Sequence, residues 1–256
     1  MVLQVTTPSW PATASRDSPR ATDGNTLGRV TDNNVLVSQH FFALKLNKND
    51  VVKVLTALQN ASVVTDPTNP EVVNNGGPTD IQALVSGLGE KSTSTTFTKE
   101  TLSTGVVLIS KPSKLNVPPW QFVSAFLGGP SLRTAAWWAN AKIYTTTASK
   151  KISCSDSSLT KPGRVAIAIT GSWDGTDFGL EGGPGPNFNH AKVGVSISNA
   201  KHLAIFGDMN QQGAVSGKCA SSQNGRGGLF FVIEDQALST SITASIDGET
   251  APTKGP

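Results

Sequence analysis

Apolar residues recur along this chain in two different periods, and the change from one to the other outlines its architecture. Val51, Val54, Leu55 and Leu58 fall on one face of a 3.6-residue helix, with Asn49 and Asp50 placed to cap it. Ile81, Leu84, Val85 and Leu88 repeat the pattern in a second, shorter helix that starts at Thr79 or Asp80 and is stopped by Gly87 and Gly89. Phe122, Val123, Phe126 and Leu127 predict a third, opened by Pro118-Pro119-Trp120 and closed by Gly128-Gly129. Between these helices, residues 92–98 alternate Ser/Thr with Thr/Phe, residues 106–109 form an unbroken apolar run, and residues 132–138 read as a further strand. Beyond residue 160 the period of two takes over. Strands are expected at 165–169, 192–198, 203–206 and 229–233, followed by a closing helix over 234–246 that many Ser and Thr weaken. At the other end, residues 2–5 read as a short strand, 8–23 as a Pro-rich loop and 34–42 as β-rich. Prolines and a Gly-Gly pair make 61–78 a long loop.

Helices and strands that alternate early and strands that cluster late predict an α/β fold with a mixed sheet. The 256 residues suffice for one large domain or two small ones. Charged residues make up 15 %, and Ser, Thr, Asn and Gly are abundant, as in loop-rich extracytoplasmic proteins. The net charge of +3 tolerates a polyanionic partner, but no Lys/Arg run is dense enough to argue for nucleic acid by itself. No apolar run approaches the roughly 18 residues that span a bilayer. Met1-Val2-Leu3-Gln4-Val5 has no basic segment and no long apolar core, so it is not a secretory signal; it reads as a strand already under way. Cys154 and Cys219 either pair, restricting the unfolded chain by about 4 kcal/mol, or stay as two thiols. Neither has a neighbouring His, so they are not metal ligands.

There are three histidines, His40, His190 and His202. No cluster of His and carboxylates has the spacing of a zinc or di-metal hydrolase, and no metal is expected. Gly-x-Ser-x-Gly, Walker and Rossmann signatures are missing. The Gly-rich stretch 179–185 is no phosphate loop of those kinds, because Pro184 and Pro186 prevent a helix from following. His190-Ala191-Lys192 remains. On an extended strand, residues two apart share a face, so the imidazole and the ammonium emerge together. An imidazole can attack phosphorus or protonate a leaving oxygen, while a lysine holds the equatorial phosphate oxygens. Asn210 follows the next strand, where its amide can donate to the same phosphate. Asp208 either orients the imidazole or faces solvent. Taken alone, a His-x-Lys is an ordinary pair at a strand start, and His40 and His202 read as structural strand residues.

The order of features adds to this. Gly183-Pro184-Gly185-Pro186-Asn187-Phe188 leads into His190-Ala191-Lys192, and Val195-Ser196 closes that strand. Gly207-Asp208-Met209-Asn210 follows, with Gln211-Gln212 after it, and then Arg226-Gly227-Gly228. This succession strongly resembles the C-terminal half of the deoxyribonuclease II family, a branch of the phospholipase D superfamily. Upstream, Cys154-Ser155-Asp156, the strand pair within 93–114, the strand ending in Trp137-Trp138, and Thr6-Thr7-Pro8-Ser9-Trp10-Pro11 resemble that family more loosely.

The resemblance implies phospholipase D-like mixed sheets flanked by helices in two pseudo-symmetric halves, 1–115 and 116–256, the first incomplete. It implies a secreted or periplasmic acid endonuclease that cleaves DNA without a metal or other cofactor, through a phosphohistidine, leaving 3′-phosphates. It makes His190 and Lys192 catalytic, Asn210 and Asn34 phosphate ligands, and Asp208 and Arg226 supporting residues. The family's later cysteine is missing near Leu229-Phe230-Phe231, so Cys219 is expected to pair with Cys154. The family carries two His-x-Lys motifs and this sequence has one. The other would lie just upstream of Val2, so Met1 is expected to be internal, with a missing N-terminal segment or a second copy of the chain completing the site. Two rivals stand. One is a phosphodiesterase for lipid headgroups or RNA, although Ile197 occupies the place where a headgroup enzyme would show a carboxylate. The other is a degenerate module that binds nucleic acid without turnover.

Overall fold

The computed structural model describes residues 42–62, 78–136, 138, 142–183, 188–197 and 200–253. The expected strand at 2–5, the loop at 8–23, most of the β-rich segment 34–42, and Asn34 and His40 lie outside the described residues.

Helix α1 (Lys48–Ala61) starts slightly earlier than expected, because Asn47 caps it: its side chain accepts from the Asp50 N–H at 2.9 Å. Asp50 is buried, and its carboxylate accepts from the Ser103 N–H and hydroxyl. That contact ties the first turn of the helix to the turn between two strands. Helix α2 (Thr79–Ser86) runs into a tight turn at Gly87–Gly89, where the glycines were expected to stop it. Strands β1 (Thr98–Thr101) and β2 (Val107–Lys111) form an antiparallel pair. The strand expected at 92–98 begins only at its last residue. Upstream, Ser92 Oγ accepts from the Ser94 N–H and Ser94 Oγ from the Thr96 N–H, which takes those amides out of any ladder.

Helix α3 (Pro119–Phe126) has proline in its first turn, as expected. Then come β3 (Leu132–Ala136), β4 (Val165–Ile167), the hairpin β5 (Thr170–Trp173) and β6 (Thr176–Gly179), β7 (Lys192–Ser196), β8 (Leu203–Gly207), β9 (Gly228–Glu234) and helix α4 (Gln236–Ser245). Seven strands make one mixed sheet in the order β1-β2-β9-β8-β7-β3-β4; only β3 and β4 are parallel. The β2–β9 ladder joins residues 107–111 to residues 228–232.

The two faces of the sheet follow from strand alternation. Ile109, Leu203, Ile205, Phe230 and Val232 pack with Trp120, Phe122 and Val123 of α3. Leu108, Leu229 and Phe231 turn the other way onto Val54, Ala57 and Ala61 of α1. The same side continues through Val193 and Val195 to Ile242 and Ile246 at α4. Helices therefore cover both faces, and the polar side chains collect at one end of the strands. Cys154 and Cys219 form a disulfide. Among the described residues no helix is long and apolar enough to cross a membrane.

Candidate active site

Antiparallel pairing brings four strand ends to one edge. Lys111 ends β2, Gly228 begins β9, Asp208 directly follows β8, and Lys192 begins β7. The side chains gathered there come from segments more than a hundred residues apart.

The loop before β7 is shaped by Asn189. Its Oδ1 accepts from the Ala191 N–H at 2.9 Å, and its own N–H donates to the Glu181 carbonyl at 3.2 Å. This hook leaves His190 half-buried at the mouth of the strand. Lys192 is 4 % exposed, and its Nζ donates back to the His190 carbonyl at 2.7 Å. The expected pair is thus joined through the histidine backbone, with the ammonium beneath it.

Asp208 is held on both sides by Leu229. The Leu229 N–H donates to Oδ1 at 2.9 Å, and the Asp208 N–H donates to the Leu229 carbonyl at 3.3 Å. Gly228 makes room for the carboxylate: a Cβ there would meet Asp208 Oδ1 at 2.4 Å and Met209 Cγ at 2.3 Å. Gly227 is equally constrained, since its Cβ would lie 1.5 Å from the Ala61 carbonyl at the end of α1. The Arg-Gly-Gly segment is therefore a close approach of backbone to both a helix and a carboxylate.

Lys111, in register with Gly228, is fully buried. Its Nζ donates to the carbonyls of Asn224 and Arg226, at 2.8 Å each. The Asn224 side chain in turn donates to the Ala214 carbonyl at 2.7 Å and accepts from the Ala214 N–H. The chain between β8 and β9 is thereby pinned to the sheet edge.

Burial acts on all three charges. It lowers the Lys111 ammonium to about 7 and the Lys192 ammonium to about 8, and the Asp208 carboxylate opposes both shifts. It raises the Asp208 carboxyl to about 7, against its hydrogen bonds from backbone N–H groups and the pull of both lysines.

Uncharged polar groups crowd the same edge. Asn210 is buried and donates from Nδ2 to Gln212 Oε1 at 3.4 Å. Asn210 Oδ1, Asn189 Nδ2, Trp138 Nε1 and both amide atoms of Gln211 are buried with no hydrogen-bond partner among the described residues. Leaving such a group unmade costs about 1–3 kcal/mol, so a concentration of them marks a polar, ligand-ready surface. Trp138, just beyond β3, is covered by the Lys142 ammonium at 3.2 Å from the ring centroid, and Lys142 is bridged to Gln212.

His190, Lys192, Asp208 and Asn210 therefore come together. The Arg226 side chain is exposed, and what Arg226 contributes to the cluster is its carbonyl, held by Lys111. Asn34 lies outside the described residues. His202 precedes the opposite end of β8, and its carbonyl accepts from the Asp235 N–H. Lys111 escaped the sequence reading. The available signal was a lysine closing the apolar run Val107-Leu108-Ile109-Ser110, where only a paired charge can be buried.

Two ammonium groups, one carboxylate, one imidazole and neutral amides suit an anion. Among the described residues, no three His, Cys, Asp or Glu side chains gather in a way that could hold a metal ion. Compared with models of known protein families and with curated proteins, the sequence finds no match.

Proposed function

We propose that this chain is a phosphodiesterase of the deoxyribonuclease II type, built on a phospholipase D-like fold, that hydrolyses DNA at acid pH and leaves 3′-phosphates. The observation that carries this reading is the pairing of His190 with the buried Lys192 ammonium at a sheet edge that also holds Asp208 and Asn210. Lys192 would hold the phosphate oxygens, and the amide of Asn210 would add a contact without adding charge. His190 would serve as one of two histidines. In such a pair, one imidazole nitrogen attacks phosphorus and forms a P–N bond as the P–O5′ bond breaks. The other, protonated, gives its proton to the leaving 5′-oxygen. Water then cleaves the P–N bond, and the phosphate stays on the 3′-oxygen. Acid pH favours this division of labour, since one imidazole must be charged.

The second histidine would come from a segment or copy supplying another His-x-Lys. The presence of a single His-x-Lys in the 256 residues also favours a second reading, a nucleic-acid-binding module without turnover. That module would show salt-sensitive DNA binding and no cleavage. The deciding experiment is end-group analysis of a labelled DNA duplex incubated at acid pH with EDTA. The nuclease reading expects fragments that a polymerase extends only after phosphatase treatment. Intact duplex, or ends extended without phosphatase, would remove it.

A further inference from the structure

Lys111 is fully buried on β2 and carries a charge that the two-histidine chemistry does not use. Its ladder partner is Gly228, and the missing side chain of Gly228 is what lets the Asp208 carboxylate sit there. On the other side of Asp208, Val193 pairs with Phe206, so Lys192 arrives beside Gly207 and Asp208. One buried carboxylate therefore stands between two buried ammonium groups. We infer that Lys111 is a positioning residue of the anion site: it answers the charge of Asp208 and so leaves the Lys192 ammonium to a bound phosphate.

The inference rests on the reading of His190 and Lys192 as a phosphate site, and it deepens that reading. With Lys111 in place, the three groups carry one positive charge in excess, matched to the single negative charge of a phosphodiester. With Lys111 replaced by an apolar residue, Asp208 and Lys192 neutralise each other. Asp208 remains fixed by the Leu229 N–H in either case, so the carboxylate cannot swing away. Lys111 has a second task, holding the carbonyls of Asn224 and Arg226, and the test must separate the two.

The probe is inorganic phosphate, titrated calorimetrically into the full chain near neutral pH. Lys111→Met is expected to weaken binding by about tenfold or more. Adding Asp208→Asn, which keeps an oxygen for the Leu229 N–H, is expected to restore most of that loss, although the hold on residues 224–226 stays broken. Lys111→Arg is expected to bind as the parent does. If the double variant stays as weak as Lys111→Met, or if Lys111→Met binds like the parent, or if the parent binds no phosphate, the inference is overturned. Should Lys111→Met fail to fold, Asp208→Asn alone decides: tighter phosphate binding supports the inference, and unchanged or weaker binding overturns it. A chain that shows this pattern but leaves DNA intact would support the role of Lys111 while removing the nuclease reading.

Discussion

The Nζ of Lys192 donates to the carbonyl oxygen of His190 at 2.7 Å, with the lysine almost fully buried and the histidine half-exposed above it. The two residues are one mechanical unit: the lysine holds the backbone that presents the imidazole. Lys192→Met keeps the length of the side chain and removes both the bond and the charge. It is expected to reduce DNA cleavage at least a hundredfold while the chain remains folded, since it also removes an ammonium from a buried site. Cleavage rate and near-ultraviolet circular dichroism, measured on the same preparation, check both halves of the expectation.

Gly228→Ala tests the seat of the carboxylate. The new Cβ would fall 2.4 Å from Asp208 Oδ1, so either the strand start or Asp208 must shift. Destabilisation of about 1–3 kcal/mol is expected, together with weaker cleavage. Gly225→Ala is the matched control. Its Cβ would meet nothing closer than 3.7 Å, and a change within about 0.5 kcal/mol is expected. Chemical denaturation of the two variants reports the difference.

The buried charges predict an unusual dependence of stability on pH. Asp208 is raised from 3.8 to about 7, so over that interval the folded chain keeps a proton that the unfolded chain has lost. Its contribution is fully present below the unfolded value and is lost as pH rises toward 7. Lys111 is lowered from 10.5 to about 7, so between those values the unfolded chain holds the extra proton and stability rises with pH. Lys192, lowered to about 8, acts in the same direction. Together they place a minimum near neutrality. Asp208→Asn should flatten the acidic side of that minimum and leave the alkaline rise, as urea titrations across the pH range would read directly.

Much of this arrangement was legible in the sequence, and the exceptions have physical causes. Helix α1 was marked by Val54, Leu55 and Leu58, and α3 by its prolines, because one buried face and one fixed φ angle are local properties. Strands β7, β8 and β9 were marked by apolar runs that the sheet buries on both sides. The hairpin β5–β6 was missed, since Thr170-Gly171-Ser172-Trp173 has no apolar alternation. Its one signal was Asp174-Gly175, whose φ values of 48° and 75° suit a tight hairpin turn. In the site, His190, Lys192, Asp208 and Asn210 were legible as a succession within 21 residues of sequence. Lys111 was not, because only the β2–β9 pairing carries it to Gly228.

Removing the covalent link offers a test of the scaffold apart from the chemistry. Cys154 and Cys219 close a loop with a sequence separation of 65, and the Cys154 N–H donates to the Val215 carbonyl beside it. Replacing both by Ser should lower stability by about 2–4 kcal/mol. A thermal melt of the parent chain with and without reductant should show a drop of similar size, and the double variant should be indifferent to reductant.

The central claim is that His190 takes part in cleaving a phosphodiester. It is tested most directly by the nicking of supercoiled plasmid at acid pH in the presence of EDTA, with the parent chain and His190→Ala side by side and His202→Ala as the control histidine. The account predicts nicking by the parent and by His202→Ala, and none by His190→Ala. Nicking retained by His190→Ala, or lost in all three, would contradict it.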